Sequence, residues 1–325
     1  MMTRHDSYRQ HKGRSGLSKP PIVPFISQVI TVCRMSSVRF SMTQPLRRVL
    51  VAHARDCFRS QQWLAAHWKT YHYLFEPDFE AACQESDRFI GILEDFGATV
   101  DLLDADNCPG LDSLYVHDPV IAAGPGLMRA SMGKAERRPE TEAVANQLER
   151  LGMPVHEITD PDALIEGGDV VWLRGDLPAV GIGFRTNHAG ADALEALCGD
   201  AIRELIRVSL PWDNGPTDVL HVMSLVSPLS ADTLLIHTRR MPVEFRQRLD
   251  REGFRLIEVP EDEYASLGGN VLALDESTCL IEMGNIKTIR LLADAGFQVL
   301  TYDGRNISLA GCGGPTCLTR PLLRG

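Results

Sequence analysis

Four segments of the chain leave a helix in the same way, through a glycine followed at once by a short apolar strand: FGATVDLL from Phe96, LGMPVHEI from Leu151, EGFRLIEV from Glu252 and AGFQVLTY from Ala295. A helix stops readily on a left-handed residue, a conformation that glycine adopts without a Cβ clash. The β-branched and apolar residues that follow favour a strand. The stretches in front, DFEAACQESDRFIGILED, PETEAVANQLER, PVEFRQRLDR and NIKTIRLLADA, carry apolar residues at three- and four-residue spacing, which predicts amphipathic helices. A fifth, weaker copy has the helix NHAGADALEALC, then Gly199, then a strand over 205–210. The capping glycines are therefore Gly97, Gly152, Gly199, Gly253 and Gly296, separated by 55, 47, 54 and 43 residues. Each unit adds short strands from VIAA, VVWL, LPAVGIG, TLLIH, NVLAL and TCLIEM. Repetition at this near-regular period predicts an α/β protein of ββαβ-type units closed into a five-bladed pseudosymmetric propeller.

Charge divides the chain in two. Residues 1–46 hold seven Lys/Arg and one acid, Asp6, so the remainder carries 26 basic and 42 acidic residues out of a chain total of −10. An acidic body disfavours nucleic acid as the main partner and suits a small cationic substrate. The eight cysteines form no CxxC pair and sit at no zinc-finger spacing, which points to free thiols in a reducing compartment and to no structural metal. No apolar run approaches the length of a membrane helix. The segment Pro20 to Val32 is mildly apolar and follows a basic stretch, without a long apolar core or a clear cleavage site. Residues 1–46 are therefore read as a disordered tail or an over-extended start, with Met35 or Met42 as alternative starts. Residues 47–325 are read as a single catalytic domain. A cytoplasmic location is expected, organellar targeting by 1–46 and homodimerisation being left open.

Polar residues recur in strand-like sequence 14 to 22 residues after four of these glycines: Asp118 in DSLYVHDP, Glu166 in LIEGGD, His221 in VLHVMS and Cys317 in GGPTCLTRP. The fifth equivalent falls near Asn270 in GGNVL. Taken singly, Asp118 before a proline and EGGD are ordinary turn sequences, and a histidine or cysteine among apolar residues is ordinary core. In a ring of like units, however, equivalent positions converge, so these groups would share one pocket. Two unpaired buried carboxylates are costly, and a guanidinium offers a planar fork of donors that both could grip. A thiolate at Cys317 would then face the guanidinium carbon, its pKa lowered by the bound cation, a protonated His221 and the glycine-rich backbone before it.

The motifs DSLYVHDP (112–119), RRPETE (137–142), EGGD (166–169), GIGFRTNHAGA (181–191) with VLHVMS (219–224), and CGGPTCLTRPL (312–322) resemble, in order and spacing, the guanidino-group-modifying (pentein) superfamily, most closely the dimethylarginine dimethylaminohydrolases. The resemblance spans Arg47 to Gly325 and implies the five-fold propeller that the repeat suggests. It implies Cys317 as nucleophile, His221 as general acid/base, Asp118 and Glu166 as the guanidinium clamp, and Asp112 as a further acidic pocket residue. Arg137 and Arg185 correspond to the residues that hold the substrate's α-carboxylate. Two positions depart from the pattern. His117 stands where the dimethylarginine enzymes have an acid, and Met223 replaces an aspartate typical of arginine deiminases and amidinotransferases.

The implied chemistry is hydrolysis of N-methylated arginine to citrulline and a methylamine through a thiouronium on Cys317, with no metal or organic cofactor. An arginine deiminase would release ammonia from the same residues. An amidinotransferase would let an amine replace water in the second step, and a non-catalytic binding protein on the same fold is the alternative of a different class.

Overall fold

The computed structural model describes residues 41–123, 126–216 and 220–325, all within one compact unit spanning 37–325. The stretch Pro20 to Val32, the alternative start Met35 and Val219 of VLHVMS lie outside the described residues. All five capping glycines have positive φ: 99° at Gly97, 80° at Gly152, 49° at Gly199, 75° at Gly253 and 102° at Gly296. A Cβ built on any of them meets nothing within 4 Å, so conformation and not crowding calls for glycine. Gly199 is the odd member. Its ψ of −133° takes it out of the left-handed helical well, and a 3₁₀ turn follows before the strand, matching the weaker sequence signal of that copy.

The chain opens with β1 (Leu46–Val51), the short helices α1 (Ala54–Phe58) and α2 (Gln61–His67), then α3 (Phe79–Asp95) and β2 (Thr99–Leu102). It continues through β3 (Val120–Ala123), β4 (Gly126–Arg129), α4 (Arg138–Arg150) and β5 (Val155–His156). The next unit is β6 (Val170–Arg174), β7 (Leu177–Ile182), α5 (His188–Cys198) and β8 (Ile206–Ser209). Then come β9 (Val226–Pro228), β10 (Thr233–Ile236), α6 (Val243–Arg251) and β11 (Arg255–Glu258). The last unit holds β12 (Leu272–Ala273), β13 (Thr278–Glu282), α7 (Ile286–Asp294) and β14 (Gln298–Tyr302), and β15 (Thr319–Arg324) ends the chain.

Five separate three-stranded sheets result, ordered β15-β1-β2, β3-β4-β5, β6-β7-β8, β9-β10-β11 and β12-β13-β14. In each, the middle strand runs antiparallel to one neighbour and, across a helix, parallel to the other. One unit is split by the chain termini: its antiparallel strand is β15, with Val49 opposite Pro321 and Val51 opposite Thr319. Side chains start the helices where the sequence supplies them, Asp78 Oδ1 accepting from Ala81 N at 2.8 Å and Asn187 Oδ1 from Gly190 N at 2.9 Å. The stretch NVLAL is strand only over Leu272–Ala273.

The buried apolar residues gather into four clusters, the largest of which joins Val49 and Leu50 of β1 to Phe89 and Leu93 of α3. Next to the expected boundary at Arg47, β1 begins one residue earlier. Leu46 is buried and already in β1, and Met42 packs against two of the clusters, its sulfur accepting from Trp172 N at 3.4 Å. Residues 42–46 therefore belong to the folded unit.

Candidate active site

One residue at the entry to each sheet faces a common cavity: Asp118 just before β3, Glu166 before β6, His221 before β9, Asn270 before β12 and Cys317 before β15. The cavity measures about 380 Å³, within the range that encloses small ligands, and Asp112, Arg137 and Arg185 line it as well. All seven sequence-designated site residues therefore meet in one place.

The Cys317 segment is seated by long-range contacts. Glu85 of α3 accepts from Asn306 N, Asn306 Nδ2 and Ile307 N, pinning the π-turn over 305–309 that precedes it. Asn270 then grips the segment from the neighbouring unit, its Oδ1 accepting from Thr316 N at 3.1 Å and its Nδ2 donating to Cys317 Sγ at 3.2 Å. Gly314 permits this approach, since a Cβ there would lie 2.5 Å from the Asn270 carboxamide carbon.

The carboxylates are not waiting unpaired, contrary to the expectation from sequence. Asp118 accepts from Gly168 N at 2.9 Å and from Arg137 Nη1 at 2.5 Å. Glu166 Oε1 accepts from Gly133 N at 3.0 Å and lies 3.5 Å from Arg185 Nη1, while Oε2 sits 3.0 Å from His221 Nε2. Both Asp118 oxygens and Glu166 Oε2 keep further lone-pair capacity for a ligand, whereas Glu166 Oε1 accepts from both Gly133 N and Lys134 N. Arg137, the residue expected on a substrate carboxylate, is held by acceptors of the protein itself. Nε and Nη2 donate to Glu140, Nη1 to Asp118, and Nη2 also to the Tyr115 carbonyl, so each of its nitrogens is engaged within the protein. Arg185 makes the looser contact, an ion pair beyond hydrogen-bond distance.

Burial pulls each site group towards its neutral form, and charge partners decide the outcome. Burial would lower His221, but Asp169, Glu166 and Asp118 outweigh it and raise the imidazole to about 9. Burial would raise Asp118, yet Arg137, His221 and His117 hold it well below the usual carboxylate range. Glu166 is likewise held below its ordinary value against burial, chiefly by His221 and then Arg185. At Cys317, burial and the Asp118 charge push the thiol up to about 12, and the hydrogen bonds from Asn270 and the Gly314 backbone offset this only in part. The pair is thus a thiol and an imidazolium.

His117 does not line the cavity. It is buried with Nδ1 2.9 Å from the Thr319 carbonyl oxygen, and burial, then Arg320, lowers it to about 3, so it is neutral. Met223 does line the cavity, as does the exposed Cys312. Sequence reasoning missed Lys134, whose Nζ lies 2.6 Å from Asp112 Oδ2, and the mouth formed by Asp213, Arg240 and Tyr264, where Arg240 pairs with Asp213 and lies 4.4 Å over the Tyr264 ring. None occupies the repeat position that marked the others. Asp169 was within a recognised motif but unassigned. Its Oδ1 accepts from Val222 N at 3.1 Å, and burial raises it to about 6. Among the described residues no cluster of three or more His, Cys, Asp or Glu side chains is arranged to hold a metal ion, and no helix is long and apolar enough to cross a membrane.

A family model described as arginine deiminase matches residues 109–239 and 231–324. A dimethylarginine dimethylaminohydrolase of Streptomyces coelicolor is 32% identical over 244 residues, covering 74% of this chain and 86% of that protein. The enzyme of the same name from Pseudomonas aeruginosa is 26% identical over 241 residues, 72% of this chain and 86% of that one. Among solved structures, a variant of the Pseudomonas aeruginosa enzyme complexed with citrulline aligns over 86% of this chain and all of its own, at 23% identity and a TM-score of 0.66. The N-terminal domain of ArgZ, an arginine dihydrolase from cyanobacteria, aligns over 85% of this chain and 98% of its own, at 19% identity and a TM-score of 0.71. These two likenesses establish a shared α/β fold.

Proposed function

The chain belongs to the arginine deiminase family, as a guanidino-modifying hydrolase of C–N bonds in linear amidines, and from that premise we propose that it converts N-methylated arginine to citrulline and a methylamine. The observation that carries the reading is the convergence of Asp118, Glu166, His221, Asn270 and Cys317, one from each sheet, on a single cavity. In the same reading the five sheets are the blades of a closed five-bladed propeller, with β15 and β1 sealing the ring, and the catalytic domain begins near Met42.

A guanidinium docks between Asp118 and Glu166 and offsets the Asp118 charge that raises the Cys317 thiol, which releases its proton to solvent as the cation binds. The thiolate sulfur bonds to the guanidinium carbon. The His221 imidazolium then gives its Nε2 or Nδ1 proton to the nitrogen that carries the methyl groups, and the C–N bond breaks to leave a planar thiouronium. Water gives a proton to the now neutral His221 and bonds to the same carbon. The C–S bond breaks as the hydroxyl proton of the adduct passes to the departing sulfur, so the ureido product leaves and the thiol is restored. Glu166 and Asp169 favour the imidazolium in the first half of the cycle. Arg137 acts as a positioning residue for Asp118, and Arg185 meets the substrate carboxylate.

Alkylation and mutation test the nucleophile. Cys317→Ser abolishes citrulline formation and a thiouronium trapped by acid maps to the Cys317 peptide, whereas Cys312→Ser keeps most activity. The reverse pattern overturns the assignment.

A further inference from the structure

We propose that Lys134 is a specificity-determining residue whose ammonium receives a carboxylate at the far end of the substrate, so that the preferred class is guanidines bearing a carboxylate, with or without an α-ammonium. This rests on the guanidinium-hydrolase reading of the cavity.

Lys134 spans two carboxylates of the cavity wall. Its backbone N lies 3.3 Å from Glu166 Oε1, at the guanidinium clamp, and its Nζ lies 2.6 Å from Asp112 Oδ2. A lysine side chain reaches roughly 6 Å, about the distance from the guanidinium carbon of arginine to its Cα, so a guanidinium held at Glu166 brings the Cα substituents level with Nζ. Of the three Nζ donors, two have partners among the described residues, Asp112 and the Tyr71 carbonyl at 3.3 Å, which leaves one for a ligand oxygen. Both Lys134 and Asp112 are nearly buried, with side chains 11% and 7% exposed, so charges here interact in a poorly screened setting.

The two ends of an amino acid fare differently against this arrangement. A carboxylate meets Lys134, which keeps its hydrogen bonds to Asp112 and the Tyr71 carbonyl and has a donor to spare. An ammonium finds Asp112 already holding Lys134, and must approach that like charge or displace it. His117 offers no substitute anion, being neutral and turned onto Thr319. The carboxylate is therefore read and the ammonium largely ignored.

The test compares N-methylarginine with its des-amino analogue, which keeps the carboxylate, and its decarboxylated analogue, which keeps the ammonium, on the full chain. The wild type should process the des-amino compound within about tenfold of N-methylarginine in kcat/KM and the decarboxylated one at least about a hundredfold less well. Lys134→Met should raise KM about tenfold for the two carboxylates with a smaller effect on kcat and none on the decarboxylated compound, and Lys134→Arg should recover part of the loss. Equal losses on all three, or a wild type that prefers the decarboxylated compound, overturns the proposal. Should Lys134→Met fail to fold, Lys134→Gln supplies the same KM comparison. Calorimetric binding of the same compounds separates the two readings. Carboxylate-dependent binding without turnover refutes the hydrolase alone, turnover without carboxylate preference refutes the role of Lys134 alone, and absence of binding refutes both.

Discussion

Gly168→Ala should slow turnover by about a hundredfold while leaving the enzyme folded. A Cβ built on Gly168 lies 2.2 Å from His221 Nδ1, where ordinary contact begins at 3.4 Å, so the imidazole must retreat by about 1.2 Å. Gly168 has no left-handed φ, so alanine fits its backbone, and the loss of unfolded-state freedom even favours the variant by about 0.4–1 kcal/mol. The cost falls on the site. A shift of that size takes the 3.0 Å contact between His221 Nε2 and Glu166 Oε2 out of its present geometry and misplaces the proton donor relative to the leaving group. A misplacement near 1 Å lowers turnover by about a hundredfold, equivalent to about 2.7 kcal/mol in the barrier. The imidazole should also titrate lower, because Glu166 helps to raise it. Gly97→Ala is the control. Its Cβ meets nothing, but φ is 99°, so it should lose stability of the order of 1–2 kcal/mol and keep kcat. Steady-state kinetics on N-methylarginine, thermal melts and an NMR titration of His221 read all three quantities. A Gly168→Ala enzyme within threefold of wild type with an unmoved His221 would refute the geometry.

Proton bookkeeping at His221 predicts a pH dependence of both activity and stability. Its folded pKa is raised, so the stabilisation by Asp169, Glu166 and Asp118 is full below the ordinary value of 6.5 and is lost as pH rises through about 9. Attack needs the thiolate beside the imidazolium while the thiol titrates above His221, so kcat/KM should rise with pH to a plateau beginning in the same region, and that limb should move to lower pH in Glu166→Gln; a limb that stays in place argues against the Glu166 contact. N-methylated arginine should exceed arginine by at least tenfold in kcat/KM, because Met223 gives the cavity wall a thioether where an acceptor would satisfy a free N–H, and a buried unsatisfied donor costs about 1–3 kcal/mol. Met223→Asp should narrow that ratio, and an unchanged or widened ratio counts against it. Removal of residues 1–40 should leave the melting temperature and kcat nearly unchanged, whereas removal of 1–46 should lower the melting temperature because it takes Met42 and buried Leu46 with it. Equal melting temperatures for the two truncations would contradict the boundary.

Local sequence carried the repeat because its signals are local. A glycine at a helix exit answers to its own φ, an amphipathic face to a 3.6-residue period, and both are written within about twenty residues of chain. Counting from those glycines reached Asp118, Glu166, His221, Asn270 and Cys317, since units that fold alike present equivalent positions alike. Charge partners were out of reach by the same token. Arg137 reads in sequence as a free cation for a carboxylate, and only packing brings it against Asp118 and Glu140. The Cys317 thiol reads as activated, and only burial beside Asp118 reverses the sign. Lys134 and Asp112 stand 22 residues apart with no motif between them, and the segment that carries Cys317 is fixed by Asn270 from 47 residues upstream. Periodicity is a property of neighbours along the chain, whereas desolvation and ion pairing depend on neighbours in space, and those exist only once the five sheets have come together.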